Sequence, residues 1–203
     1  MGAEQVQASW ATSGRKSAMR GFTAVEMLIT LAIAGIFTTL ALPSFVSTIR
    51  SNRLVTTTEM LQADLLVARR ESIKRNTPVL VCPAAANPSA GADMCSSTYT
   101  SAAWSQGWLV CYQGGVGMCN TNPPDLPNPI VRRGQLDGSL ALTGPTALFF
   151  FKPNGTSNGA GIFKVKGSWQ GSLEHRDCVQ VTGVISLKPG TGDALKDKCP
   201  GEP

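Results

Sequence analysis

Two kinds of side chain in this sequence could do chemistry. One is a set of six cysteines, Cys82, Cys95, Cys111, Cys119, Cys178 and Cys199; the other is a lone carboxylate, Glu26, inside the otherwise uncharged run Phe22–Val46. Every cysteine lies C-terminal to that run. An even number confined to one side predicts an oxidising compartment and up to three disulfides. Local spacing favours Cys82–Cys95, Cys111–Cys119 and Cys178–Cys199. Tetrahedral zinc is the competing use of such residues, but it wants four close nitrogen or sulfur ligands. The chain has no Cys-x-x-Cys, and His175 is its one histidine. Disulfides are therefore expected, with no metal and no other cofactor.

Catalysis finds little support. His175 lies in "EHRD", with Ser172, Glu174 and Asp177 close by in sequence, but no nucleophile motif surrounds it. A solvated, charged turn is the expectation there. The glycines are scattered and form no phosphate loop. Trp104 and Trp108 are expected to pack in the core rather than to carry a ligand. The net charge of +5 on 203 residues is too mild to imply nucleic acid by itself. A non-enzymatic protein is expected.

Glu26 is the misfit. A carboxylate at the centre of a membrane helix costs about 3 kcal/mol on insertion scales. Yet Met27–Val46 is apolar, and Arg15, Lys16 and Arg20 precede it. As helix, Phe22–Val46 would be about 37 Å long, enough to cross a bilayer with some tilt. Basic residues before the span and cysteines after it predict a single pass, with the N-terminus cytoplasmic and the C-terminal domain outside. Pro43 favours a kink late in that helix, and Ala32, Ala34 and Gly35 form a small-residue face suited to close helix packing.

Beyond it, residues 47–76 continue as an amphipathic helix. Leu54, Leu61, Leu65, Ala68 and Ser72 mark the inner face, flanked by Val55, Met60, Leu66 and Ile73. Arg50, Arg53, Glu59, Asp64, Arg69, Arg70, Glu71 and Lys74 fall on the opposite, solvated face. "NTP" at Asn76–Pro78 stops the helix. Residues 77–203 hold strand-like runs at Pro78–Cys82, Gly107–Tyr112, Ala147–Lys152, Gly161–Gly167 and Cys178–Lys188, with shorter ones in "PIVRR" and "SLAL". "PNGTSNGAG" reads as a hairpin turn, and Pro83–Ser101 and Gln113–Pro129 as loops stapled by cysteines. The fold class is α+β: one long N-terminal helix, its first half transmembrane, packed on an antiparallel β-sheet domain.

"GFTAVE", Gly21–Glu26, after a basic leader, resembles the class III signal of type IV prepilins. The resemblance implies a leader over 1–21, cleavage between Gly21 and Phe22 by prepilin peptidase, and N-methylation of Phe22. The helix over 22–46 is then kept as an assembly stem in the bacterial inner membrane. Met19 offers an alternative start to Met1. Cleavage would create an amine that can neutralise Glu26, its own or a neighbour's. Glu26 and Pro43 are the expected assembly residues. "ARRESIKRNTPVLVCP", "WSQGWLVCY" and "FFFKPNG" further resemble the GspH/FimT group of minor pilins and pseudopilins. That likeness implies partners among other major and minor pilins or pseudopilins, in a type IV pilus or a type II secretion system, with the C-terminal domain periplasmic. Some FimT-like proteins are implicated in DNA uptake through a C-terminal Gly-Arg-x-Arg stretch. Here the counterpart is "GVIS", Gly183–Ser186, without arginine. DNA binding, with Arg69, Arg70, Lys74, Arg75 and Lys188 as contacts, is the alternative and is not favoured.

Overall fold

Thr23 opens the long helix α1, Ala24–Arg75. In the computed structural model the described residues are 21–85, 95–96, 99–115, 118–119, 130–193 and 196–200, without side chains at 40–44, 101–102, 115, 118 and 130. All but Gly21 of the expected leader over 1–21, both candidate starts and much of the two expected cysteine loops lie outside them. The chain divides into two compact units, residues 1–45 and 46–203.

The N-terminus of α1 has the chemistry of a helix cap. Thr23 Oγ1 accepts the Glu26 N–H at 3.2 Å and its carbonyl accepts the Met27 N–H at 3.1 Å. Thr-x-x-Glu is the capping-box spacing, in which a hydroxyl at the cap satisfies an orphan amide. The C-terminus is equally specified. Asn76 takes φ 50°, Asn76 N–H donates to Ile73 O and Thr77 N–H to Ser72 O, after which Pro78 forbids continuation.

In the second unit α1 buries Leu54, Thr58, Leu61, Leu65, Ala68 and Ser72. This is the expected stripe with Thr58 added, a hydroxyl tolerated because it donates to Leu54 O at 2.8 Å. Met60 and Ile73, expected as flanking core residues, are about half exposed instead. The stripe is thus narrower on those sides.

Among the described residues nine strands follow: β1 Val79–Pro83, β2 Trp108–Gly115, β3 Met118–Cys119, β4 Ile130–Gly134, β5 Leu140–Thr143, β6 Phe149–Phe151, β7 Gly161–Gly167, β8 Glu174–Val179 and β9 Ile185–Lys188, with a 3-10 turn at Ser101–Gln106 before β2. They make two antiparallel sheets. One runs β3-β2-β1-β6 with β4 also on β2, and the other runs β5-β7-β8-β9. The first sheet ends at β6 because the turn that follows folds back on its free edge, through a bridge between Phe151 and Ser157, Lys152 N–H donating to Thr156 O and Asn158 N–H donating to Phe150 O. Asn158 accepts the Phe150 N–H through Oδ1 at 2.9 Å and donates through Nδ2 to Leu148 O at 2.6 Å. A strand edge satisfied in this way recruits no further strand.

Three local expectations change. "PNGTSNGAG" does turn, with Gly155 at φ 78°, but β6 pairs with β1 while β7 pairs with β5 and β8, so the turn joins two sheets rather than a hairpin. Cys178–Lys188 is two strands, because Gly183 at φ 81° reverses the chain and its N–H donates to Gln180 O. "EHRD" is not a loop either: Glu174–Asp177 is the first part of β8, in register with β7.

The main core gathers Leu61 and Leu65 of α1, Val79, Val81, Trp108, Val110, Phe149 and Phe151 of the first sheet, and Leu142, Phe163 and Val165 of the second. Trp104 and Trp108 are both fully buried. Trp104 meets Phe163 edge-on with centroids 5.3 Å apart, and Phe149 meets Phe163 likewise at 5.5 Å. A second, smaller cluster of Leu80, Cys82, Leu109 and Cys111 lines the opposite face of β1 and β2. β1 is buried on both faces, which is why "VLVC" is continuously apolar rather than alternating.

Candidate functional site

In the first unit the described part of the helix carries large apolar side chains that are exposed. Phe22, Val25, Met27, Leu28, Ile29, Leu31, Ile33, Ile36 and Phe37 are all exposed. These positions circle the helix, and an all-round apolar helix buries itself in lipid or among other helices. Its threonines are already satisfied. Thr30, Thr38 and Thr39 hydroxyls donate to the carbonyls of Met27, Gly35 and Ile36 at 2.8–2.9 Å. Internal bonding of that kind is what an anhydrous surrounding demands. Among the described residues, however, no helix is long and apolar enough to cross a membrane. Side chains are described only to Thr39 before resuming at Phe45, and Pro43 with its expected kink lies in that gap.

Glu26 stands in the first turn of α1, where the partial positive charge of the exposed amides favours a carboxylate. Among the described residues no ion pair reaches it. Phe22, four residues before it in sequence, is three-quarters exposed. The capped turn thus fixes the backbone at Glu26, four residues after Phe22 in sequence.

The second unit is clamped to α1 by acids that the sequence pattern assigned to solvent. Trp108 Nε1–H donates to Asp64 Oδ2 at 2.8 Å, and Tyr112 O–H donates to Glu71 Oε2 at 2.8 Å. Seven residues of helix and four of strand span comparable distances, about 10 and 13 Å. Both pairs can therefore form along one helix–strand contact. Arg132 lies 3.7 Å from Asp64. Burial raises the Asp64 pKa against that help, whereas the Tyr112 hydroxyl holds Glu71 below its usual value. The signal was in the sequence: "WLVCY" puts Trp108 and Tyr112 on one strand face, matched to Asp64 and Glu71 one heptad apart.

The basic residues at the helix end have separate tasks. Arg69 Nε donates to Gly155 O at 3.0 Å, tying α1 to the β6–β7 turn. Glu71 lies 3.6 Å from both Lys74 and Arg75. Arg70 is exposed, and Lys188 is in β9 opposite Arg176.

Around His175, Ser172, Glu174 and Asp197 are engaged elsewhere. Ser172 Oγ accepts the Gly167 N–H at 2.7 Å, and Glu174 takes Arg176 Nε at 2.8 Å. Burial lowers the His175 pKa, opposed by Asp197. Asp197 itself accepts from Thr191 N–H, Thr191 O–H and Gly192 N–H, closing the C-terminal turn. Asp177 is fully buried, with neither carboxylate oxygen hydrogen-bonded. No hydrogen bond joins Ser172, His175 and Asp177 among the described residues.

The cysteines are bonded as Cys82–Cys95, Cys111–Cys119 and Cys178–Cys199. The first two bonds anchor loop residues on the outward faces of β1 and β2, and the third ties β8 to the C-terminal turn.

The family model described as type II transport protein GspH matches residues 57–184. The chain belongs to the GspH family. Two crystal structures of the type IV minor pilin FimU of Pseudomonas aeruginosa, strain PAO1, are similar to it. The first, in space group P21, is 18% identical with a TM-score of 0.48 and covers 74% of this chain and 95% of its own. The second, in space group P65, is 17% identical with a TM-score of 0.46 and covers 72% and 96%. No curated protein matches the chain. As a GspH-family protein with an N-terminal helix laid on disulfide-bonded antiparallel sheets, it is of the GspH/FimT minor pilin type. Membership supports a role in a type IV pilus or type II secretion system, built with other pilins or pseudopilins. The proteins of this type are structural subunits.

Proposed function

We propose that this GspH-family protein is made as a prepilin and assembled as a minor subunit of a type IV pilus or type II secretion pseudopilus. Prepilin peptidase cuts between Gly21 and Phe22 and methylates the new Phe22 amine. The chain waits in the bacterial inner membrane as a single-pass protein, N-terminus cytoplasmic and β-rich domain periplasmic, and then enters the filament beside major and minor pilins. The observation that carries this is the bare apolar surface of α1 with Glu26 in its capped first turn. Such a surface needs an apolar partner all round, and neighbouring stems supply one after the subunit leaves lipid.

Glu26 acts as the registration key. A carboxylate in hydrocarbon is unfavourable until a cation meets it, and the amine released by cleavage is that cation. A subunit entering one turn out of place would leave both charges unpaired. Glu26→Ala tests this in cells. Membrane insertion and leader cleavage should persist, while recovery with partner subunits in sheared filaments or cross-linked complexes should fall at least about tenfold, equivalent to about 1.4 kcal/mol of lost pairing. Normal incorporation of the variant would refute the role assigned to Glu26.

A further inference from the structure

We infer that the cysteines stacked on the outer face of β1 and β2 form, when reduced, a four-thiolate site for a soft divalent cation such as Zn²⁺. Cys82, Cys95, Cys111 and Cys119 come from four separate stretches of chain, yet their sulfur atoms all lie within 4.8 Å of one another. The two disulfides are neighbours: Cys95 Sγ and Cys119 Sγ, from different bonds, are 3.7 Å apart. A tetrahedral zinc with about 2.3 Å bonds to sulfur needs its ligands about 3.8 Å from each other. Cys95 and Cys119 already stand at that spacing, whereas the two sulfurs of each disulfide, at bonding distance, must part by about 1.8 Å on reduction.

The local structure explains the convergence. Cys82 pairs with Leu109, and Leu80 pairs with Cys111, so the two strand cysteines are diagonal neighbours on one face of a rigid antiparallel pair. Cys95 is held beside β1 by the bridge Ala84–Cys95 and by Ser96 N–H donating to Pro83 O. Cys119 is placed by β3 against Gln113 of β2. Leu80, Leu109, Leu148 and Phe150 wall the cluster, giving the apolar shell that keeps competing water off a metal–thiolate centre. Cys82 and Cys111 are buried, whereas Cys95 and Cys119 are partly exposed, so an incoming reductant would attack there.

The reaction balances with a dithiol as reductant. Two dithiol molecules each give two electrons and two protons and become disulfides; Cys82–Cys95 and Cys111–Cys119 become four thiols. One Zn²⁺ then takes the four sulfurs and releases four protons. Thiolate sulfur and tetrahedral geometry select zinc or cadmium over magnesium or calcium.

The test uses the full chain in detergent, reduced with a dithiol, desalted without oxygen and mixed with Zn²⁺ or Cd²⁺ alone. About one zinc per chain should survive gel filtration, and cadmium should give the ultraviolet sulfur-to-metal band of four thiolates. Alkylation followed by mass spectrometry should show Cys82, Cys95, Cys111 and Cys119 protected at least about tenfold, with Cys178 and Cys199 reactive. The double variant Cys178→Ser/Cys199→Ser should keep the metal, and Cys95→Ser/Cys119→Ser should lower uptake at least about tenfold. Failure of the reduced chain to take up zinc would overturn the inference. So would equal uptake by Cys95→Ser/Cys119→Ser, or protection spread evenly over all six cysteines.

Discussion

Asp177 should make the stability of this fold fall as pH rises from about 4 toward neutrality. Its side chain is fully buried between the apolar neighbours of β7 and β9, and neither oxygen has a hydrogen-bond partner. Burial alone raises its pKa from 3.8 to about 7. The native state therefore holds a proton that the unfolded chain gives up near pH 4. A raised carboxyl pKa means the folded state binds more protons between those values, so stability declines across that window and levels off above it. The full difference is about 4 kcal/mol, at about 1.4 kcal/mol per pKa unit. Between pH 5 and pH 8.5 it amounts to about 3 kcal/mol, because part of the loss is complete by pH 5. Asp177→Asn keeps the shape and removes the titration. Urea unfolding of both proteins, with disulfides intact, would be followed by circular dichroism at the two pH values. Relative to wild type, Asp177→Asn should gain about 3 kcal/mol on going from pH 5 to pH 8.5. A stability difference independent of pH would show that Asp177 does not ionise in this window and would refute the reasoning.

Two further substitutions probe the clamps around α1. Trp108→Phe keeps the buried ring but strips Asp64 of its indole donor, and should cost about 1–3 kcal/mol in urea unfolding; no loss would mean the bond is replaced by water. Gly183→Ala meets both a positive φ of 81° and the Gly155 carbonyl oxygen, which the added carbon would overlap. It should destabilise by about 3 kcal/mol or more. Gly138→Ala, where an added carbon meets nothing within 4 Å, is its control.

How much of this was legible in the sequence depended on whether a signal was local. The end of α1 was readable because Asn76 and Pro78 are local stop chemistry, and its buried stripe because heptad-like leucines recur. β7 was read to the residue, since "GIFKVKG" alternates between glycines. The partition into two sheets was not legible. It depends on Thr156, Ser157 and Asn158 folding back on β6, contacts that leave no periodic trace. The hairpin within Cys178–Lys188 was signalled by Gly183 but masked by β-branched residues on both sides. "EHRD" read as a turn from its charge, although the pairing of Glu174 with Lys166 across the strands and its ion pairs with Lys164 and Arg176 accommodate charges at a sheet surface. At the candidate site, the prepilin-like residues drew attention to Glu26 as an expense. The structure adds that Thr23 caps the helix there, so the first turn favours the carboxylate before any partner arrives.

Processing at Gly21 is the claim on which the proposed function turns, and intact-mass spectrometry of the chain extracted from its native membranes measures it directly. A mature protein beginning at Phe22, heavier by one methyl group at its amine and retaining the apolar helix, is the predicted result. A chain that still carries its leader, or that begins beyond the apolar helix, would contradict it.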